Sequence, residues 1–277
     1  MNQLDTIEDP NFSIVLPGPC NANCGFCFWE RSKNELPFPQ YMARLDEVLS
    51  SLPDQFHQIS ITGGEPTISP YLSYTLKTLS KYRDKFNKII LTTNGYNLVD
   101  CMEGPDWEDL NVIDYLNISK HSFYENDDAK CFNIKSPILI EHDLLEITTF
   151  FNQNGIKVNA NCVLAGQFDD ELLIKDYIQS CKDVGMSSVC FRHQHYDGCS
   201  LEPQDEELWF MDYKVIYESR CPVCRSSTMI IDGMPVTWKA SIPEPSEGLD
   251  LVYECVFHPD GTLSADWGKN TILHTEG

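Results

Sequence analysis

A membrane-spanning helix needs about 18 consecutive apolar residues, and no window of this chain supplies them. The first ten residues, Met1 to Pro10, are acidic and polar and lack the basic-then-apolar order of a secretory signal peptide. Basic residues are scarce: 20 Lys and Arg stand against 42 Asp and Glu, a formal charge of −22, and no Lys/Arg-rich block interrupts that balance. Nucleic-acid affinity comes largely from neutralising phosphates with Lys and Arg, so a large nucleic-acid partner is not expected, and neither is a membrane. The acidity itself serves solubility; its sharper reading is a basic peptide or an electron-donor partner. Together these absences lead to the expectation of a soluble cytoplasmic protein. At 277 residues and 42% hydrophobic content, the chain is long enough to bury a sizeable core, as one large domain or one domain with an appendage.

Cysteine is the residue in excess. Twelve of them in a chain expected to stay in a reducing compartment argue for metal ligation or buried thiols, not disulfides. Three fall within eight residues, Cys20-Asn-Ala-Asn-Cys24-Gly-Phe-Cys27, spaced CxxxCxxC. Thiolates this close in sequence converge when the chain loops round them. Iron–sulfur clusters are held by cysteine thiolates, normally four. Three would leave one iron of a [4Fe–4S] cluster without a protein ligand, as a catalytic zinc keeps an open position. For the run taken alone, a structural zinc or a chance grouping competes with this reading.

The surrounding pattern is a repeat of strands and helices. Phe12–Leu16 reads as a short buried strand, ended by Pro17-Gly18-Pro19, so the cysteines follow its carboxyl end. In open sheets and α/β barrels the chemistry sits at that end. Leu45, Val48, Leu49 and Leu52 mark one helix face, with Pro39 near its start and Pro53 at its close. Gln58–Thr62 is the second strand and runs into Gly63-Gly64-Glu65-Pro66. Ser69-Pro70 is expected to open the next helix. Lys88–Thr93 is the third strand, ending in Asn94-Gly95, and Val112–Ser119 the fourth, ending in Ser119-Lys120-His121. Glu125–Lys135 reads as a loop and Ile138–Asn154 as a helix closed by Gly155. Lys157–Leu164, a helix over Asp169–Val184, and Ser188–Arg192 follow. This alternation is the βα repeat of a parallel sheet.

CxxxCxxC with aromatic Phe26 before its last cysteine resembles the signature of the radical S-adenosylmethionine (SAM) superfamily, and GGEP after the second strand is a second match. The resemblance covers roughly the first 195 residues, a span over which strands and helices alternate. It implies a partial (β/α)6 TIM-like barrel over residues 1–198. It also implies that Cys20, Cys24 and Cys27 hold a [4Fe–4S] cluster whose open iron chelates SAM. Reductive cleavage of SAM would then yield a 5′-deoxyadenosyl radical that abstracts hydrogen from a substrate. By the same resemblance Gly63, Gly64 and Glu65 meet the SAM amino group, and Phe26 meets adenine. A carboxylate can accept from an ammonium group, and paired glycines let backbone approach a ligand. Thr93 and Asn94, Ser119 and Asn161 are further candidate SAM contacts. Arg192 is a candidate partner for the SAM carboxylate or an anionic substrate. For each of these the alternative is an ordinary turn, a satisfied buried polar group or a surface ion pair. Lys120 and His121 are read as facing substrate or solvent, and a metal site at His193 and His195 lacks an assignable third ligand.

From Cys199 the composition changes, and residues 199–277 are read as a C-terminal extension. A helix is expected over Glu206–Tyr217, then Cys221-Pro-Val-Cys224-Arg225, then two β-hairpins, Thr228–Lys239 turning at Asp232-Gly233 and Leu251–Trp267 turning at Pro259-Asp260-Gly261. Cys221, Cys224 and Cys255 suggest a second metal site, with Cys199, Cys190 or His258 as a fourth ligand. Many members of the superfamily carry an auxiliary iron–sulfur cluster in such an extension, though the full cysteine pattern of the best-known ones is absent. A structural zinc and buried thiols are the rival readings. Cys224 beside Arg225 is also a candidate catalytic thiol. Cys101, Cys131, Cys162 and Cys181 read as buried small side chains. The substrate class stays open between a peptide or protein and a nucleotide or sugar-like small molecule, and a reducing partner such as flavodoxin or ferredoxin is implied. The reading from another class is a non-catalytic iron–sulfur or zinc protein with a binding or sensing role.

Overall fold

The structure is a computed structural model that describes residues 7–27, 34–52, 56–104, 107–193, 209–219, 226–239, 252–269 and 271–273. It is α/β, with a mostly parallel arrangement of strands, and the chain divides into two compact units. The first comprises residues 1–21, 29–116 and 245–277; the second, residues 22–28 and 117–244.

In the first unit β1 (Ile7–Leu16), β2 (Phe56–Gly63) and β3 (Phe86–Thr93) lie parallel in that order. On the other side of β1 runs β10 (Val252–Phe257), also parallel, followed by antiparallel β11 (Leu263–Ser264). Phe12, Ile14, Ile59, Ile61, Ile89 and Leu91 are fully buried. Helix α1 (Phe38–Ser51) buries Tyr41, Leu45, Val48 and Leu49, the stripe its 3.6-residue period predicts. The Tyr41 hydroxyl donates to the Val15 carbonyl at 3.1 Å, and its ring meets Phe257 at 5.1 Å, tying α1 to β1 and β10. Helix α2 (Leu72–Lys81) starts later than Ser69-Pro70 suggests, with Tyr71 as its N-cap. Ser69 has other work: its hydroxyl donates to the Pro17 carbonyl at 2.6 Å and accepts from the Tyr71 amide. A short helix α3 (Leu98–Glu103) follows β3, and a 3-10 segment, Trp107–Val112, takes up the first residue expected of the fourth strand.

Strand β4 (Tyr115–Ser119) carries the chain from the first unit into the second. In the second unit β5 (Lys157–Leu164), β6 (Ser188–His193) and β9 (Met234–Lys239) are parallel neighbours. Beyond β9 come β8 (Ser226–Ile231) and β7 (Val215–Glu218), each antiparallel to its neighbour. One face of this sheet is apolar, with Val158, Ala160, Cys162, Val189, Phe191 and Val236 at zero exposure. Against it pack α5 (Glu141–Gln153) and α6 (Glu171–Asp183), and an aromatic cluster joins Phe168, Tyr177, Phe191, Phe210 and Trp238. α6 opens on Asp170, whose carboxylate accepts from the Leu173 amide at 3.1 Å.

Two expectations are corrected. Residues 125–132 form a helix, α4 (Glu125–Phe132), not a loop. Its polar composition hid it, but three acidic residues in the first turn suit the positive end of a helix dipole. Within the expected helix over 206–217, residues 209–211 are helical but 215–218 are strand, and 201–208 lie outside the described residues. Both hairpins form: the first extends the β5–β6 sheet through β9, and the second joins the first unit through β10.

The β8–β9 turn is built on Asp232 and Gly233 at φ of 49° and 81°, the pair of positive values a two-residue hairpin requires. An added Cβ at Gly233 would meet nothing within 4 Å. Gly233→Ala should therefore cost only the conformational term, about 1 kcal/mol, read as a lowering of the melting temperature by about 2–4 °C.

Candidate functional site

In the first unit the site is organised around the ends of β2 and β3. Gly63 has φ of +154°, and a Cβ there would stand 2.7 Å from the Leu16 carbonyl oxygen. A Cβ on Gly64 would stand 2.5 Å from the Pro19 carbonyl oxygen. The Glu65 amide donates to that same oxygen at 3.0 Å. The paired glycines thus let the end of β2 lie directly on the backbone that leads into Cys20. The close approach they permit is backbone to backbone.

The Glu65 side chain is 1% exposed. Its Oε1 accepts from the Thr67 amide at 2.9 Å, from the Thr67 hydroxyl at 2.7 Å and from the Thr93 hydroxyl. Its Oε2 accepts from the Asn94 amide at 2.8 Å. Burial raises its pKa above the ordinary carboxylate value, and these donors pull it back. Sequence reasoning gave this carboxylate to a ligand's ammonium group; here Oε1 is saturated by the protein, and the side chain ties the end of β2 to the end of β3. Thr93 is buried and spent on Glu65 and on the Gly95 amide. Asn94 reaches the cysteine segment: its Nδ2 donates to Asn21 Oδ1 at 2.9 Å.

In the second unit the loop 22–27 hangs from α4. The Asn23 amide donates to the Phe132 carbonyl at 3.0 Å, and Asn133 Nδ2 donates to the Asn23 carbonyl at 3.1 Å. Asn133 is the left-handed C-cap of α4, with φ of 53°. The Cys27 amide closes a turn onto the Cys24 carbonyl at 3.2 Å. Phe26 sets its ring edge-on to His121 at 5.1 Å, and His121 packs on Phe132 at 4.7 Å.

Lys120 and His121, read from sequence as facing substrate or solvent, are instead buried. Lys120 Nζ pairs with Asp128 at 2.9 Å and donates to the Leu139 carbonyl at 2.7 Å. The other Asp128 oxygen accepts from the His121 and Ser122 amides. His121 Nδ1 accepts from the Val163 amide at 3.1 Å, which places the ring proton on Nε2. Burial pushes its pKa down to about 4, so the ring is neutral near pH 7. Ser119 ends β4, Arg192 is the last residue but one of β6, and Asn161 lies within β5, all on half-exposed positions of the strands. Lys239, which sequence reasoning passed over, lies directly opposite Arg192 in the β6–β9 register. Only the pairing of a late hairpin strand with β6 could have found it.

Among the described residues no three His, Cys, Asp or Glu side chains gather as around a single metal ion. Cys20, Cys24 and Cys27 form no disulfide; Cys20 and Cys24 are half-buried and Cys27 is exposed. A donor set of three thiols and no oxygen suits the chemistry of an iron–sulfur cluster. For the second metal site, Cys199, Cys221 and Cys224 lie outside the described residues, as does His195. Cys255 is wholly buried in β10, and burial pushes its thiol up to about 12, with Glu254 adding to the effect. His258 is buried against the Ser264 hydroxyl at 2.7 Å. Cys162 and Cys181 are buried thiols as expected, while Cys101 and Cys131 are half-buried. No helix is long and apolar enough to cross a membrane among the described residues.

Comparison with known proteins adds the wider context. The family model described as "Radical SAM superfamily" matches residues 14–175, more than half of the chain. The GTP 3′,8-cyclase of Aliarcobacter butzleri (strain RM4018) is 26% identical over 170 residues, which are 60% of this chain and 50% of that protein. The chain thus spans about half the length of this relative. SuiB of Streptococcus suis superposes with a TM-score of 0.61 at 15% identity, over 98% of this chain and 63% of SuiB. SuiB bound to the precursor peptide SuiA gives 0.53 at 18% identity, over 70% of this chain and 41% of that one. At these identities the likeness is one of fold.

Two substitutions test the supports of the cysteine loop. Gly64→Ala forces backbone apart at Pro19, an overpacking that should cost about 1–3 kcal/mol and reduce the iron retained after anaerobic reconstitution. Lys120→Met leaves the Asp128 carboxylate buried without its counter-ion, which should cost about 3–5 kcal/mol. Thermal melting read by circular dichroism measures both.

Proposed function

The chain belongs to the radical SAM superfamily, and on that premise we propose that it is an enzyme in which Cys20, Cys24 and Cys27 hold a [4Fe–4S] cluster that binds SAM. When bound, the pair supplies one-electron reductive cleavage of the sulfonium to a 5′-deoxyadenosyl radical, which abstracts a hydrogen atom from the substrate. The chain's own residues position and shield. The backbone of Gly63-Gly64-Glu65, held in place by the Glu65 carboxylate, offers its carbonyls to the amino group of SAM. Phe26, braced by His121, lies against the adenine. Ser119 at the end of β4 and Asn161 within β5 present further polar groups. Flavodoxin or ferredoxin is the class of reductant that the chemistry requires. A hydrogen-donating role for Cys224 and a second cluster at Cys221, Cys224 and Cys255 remain expectations of the sequence.

The observation that carries this reading is the joining of the two motifs within the first unit. The Glu65 amide bonds to Pro19, and Asn94 bonds to Asn21, so GGEP and the strand-3 turn are built onto the residues flanking Cys20. A mere cluster carrier has no need of that platform, which weighs against the binding or sensing reading. For the substrate, the relatives point two ways: one is a GTP 3′,8-cyclase, and another, SuiB, binds a precursor peptide. The half-exposed Arg192 at the end of β6 favours a small anionic molecule.

The test is anaerobic. Reconstituted protein with SAM and dithionite should release 5′-deoxyadenosine, and the Cys20→Ala/Cys24→Ala/Cys27→Ala variant should release none. Absence of product from wild-type protein carrying its full iron complement would sink the proposal.

A further inference from the structure

The half-exposed face of the second unit's sheet changes character along its strands. Over part of that face the polar groups satisfy one another. Asn159 Nδ2 donates to Asn117 Oδ1 at 3.1 Å, Ser188 Oγ donates to Asn159 Oδ1 at 2.8 Å, and Thr228 and Thr237 share a hydrogen bond at 2.9 Å. At Arg192 and Lys239 that pattern stops. Arg192 Nε is buried without a hydrogen-bond partner. Lys239 stands opposite Arg192 on β9, and Ser226 stands opposite Lys239 on β8. Residues paired across a ladder project from the same face, with strands about 4.8 Å apart. A guanidinium, an ammonium and a hydroxyl therefore leave the sheet in one row across three adjacent strands.

Among the described residues neither cation has a carboxylate partner. This chain has 42 acidic and 20 basic residues, so carboxylates are abundant. Two like charges facing each other on neighbouring strands destabilise a sheet, and a buried guanidinium nitrogen without an acceptor adds a desolvation cost. An anion that completes both groups removes both costs. A carboxylate brings a single negative charge, whereas a terminal phosphoryl group carries about −1.5 to −2 at pH 7 and three acceptor oxygens. We propose that Arg192, Lys239 and Ser226 form the binding site for the phosphoryl group of a small phosphorylated substrate. The inference rests on the radical SAM reading only for calling that molecule the substrate; the anion site stands on its own geometry. The same anionic-oxygen chemistry could come from the SAM carboxylate, and the experiment separates the two sources.

Pyrophosphate is the probe. Calorimetric titration of pyrophosphate, and separately of SAM, into anaerobically reconstituted protein compares wild type with Arg192→Gln and Lys239→Gln. Each glutamine variant should weaken pyrophosphate binding by about tenfold or more while leaving SAM affinity within about twofold. Wild-type affinity for pyrophosphate should fall with added salt, as for any partly exposed charge pair. Arg192→Lys keeps the charge and should retain most of the binding; it carries the comparison if the glutamine variant does not fold. No pyrophosphate binding by wild type, or equal binding by all variants, overturns the proposal. So does an Arg192→Gln variant that loses SAM and keeps pyrophosphate. None of these readings depends on SAM cleavage, so failure of the 5′-deoxyadenosine test leaves this result standing.

Discussion

A carboxylate taken out of water must be repaid by hydrogen bonds, and that requirement at Glu65 shapes the first unit. Four donors from Thr67, Thr93 and Asn94 converge on its two oxygens. They come from the turn after β2 and the turn after β3, so neither turn can move without unpairing a buried charge. The same turn after β2 lies on Leu16 and Pro19 so closely that only glycine fits at residues 63 and 64. The position of Cys20 follows from this contact: its preceding carbonyl is held by Glu65 and its following side chain by Asn94.

The second unit repeats the device with different residues. Asp128 is buried, neutralised by Lys120 and hydrogen-bonded to the amides of His121 and Ser122. It anchors α4 to the end of β4, and the far end of α4 holds Asn23 through Phe132 and Asn133. Within the second unit, residues 22–27 thus hang from a buried carboxylate. A site whose ligands must be presented in one geometry benefits from supports of this kind, since the cost of unpairing a buried charge exceeds what a surface loop can offer. His121 belongs to the same support. Kept neutral by burial and fixed by the Val163 amide, it gives Phe26 an aromatic wall and not a charge.

Much of this was legible in the order of residues. Five of the six expected strands begin where expected or a few residues earlier, because buried parallel strands are short apolar runs bounded by glycine and proline. The fourth begins three residues late, where Val112 ends a 3-10 segment. The hairpin at Asp232-Gly233 was equally legible, since few pairs other than Asp-Gly and Asn-Gly accept two positive φ values. Helix α4 was not, because its apolar face is only Ala129 and Phe132 and its polar residues resemble a loop. Lys120 and His121 were misplaced for a related reason: a lysine beside a histidine looks solvent-facing in sequence, and only the arrival of Asp128 eight residues after Lys120 makes the burial of the lysine tolerable.

What the sequence by itself determined is local: the spacing of three thiols, the glycine pair, the strands and their turns, and through these the membership of a family. These depend on neighbours within a few residues, so they can be read in order along the chain. What only the tertiary structure decided is which distant groups meet. The Glu65 carboxylate turns inward to Thr93 because β2 and β3 end side by side. The late hairpin strands part company, β9 joining β6 and β10 joining β1, because each parallel edge has unpaired backbone groups that another strand can satisfy. Arg192 and Lys239, 47 positions apart in the numbering, become neighbours through that pairing alone. No pattern along the chain encodes their adjacency, since strand pairing is a property of the folded sheet.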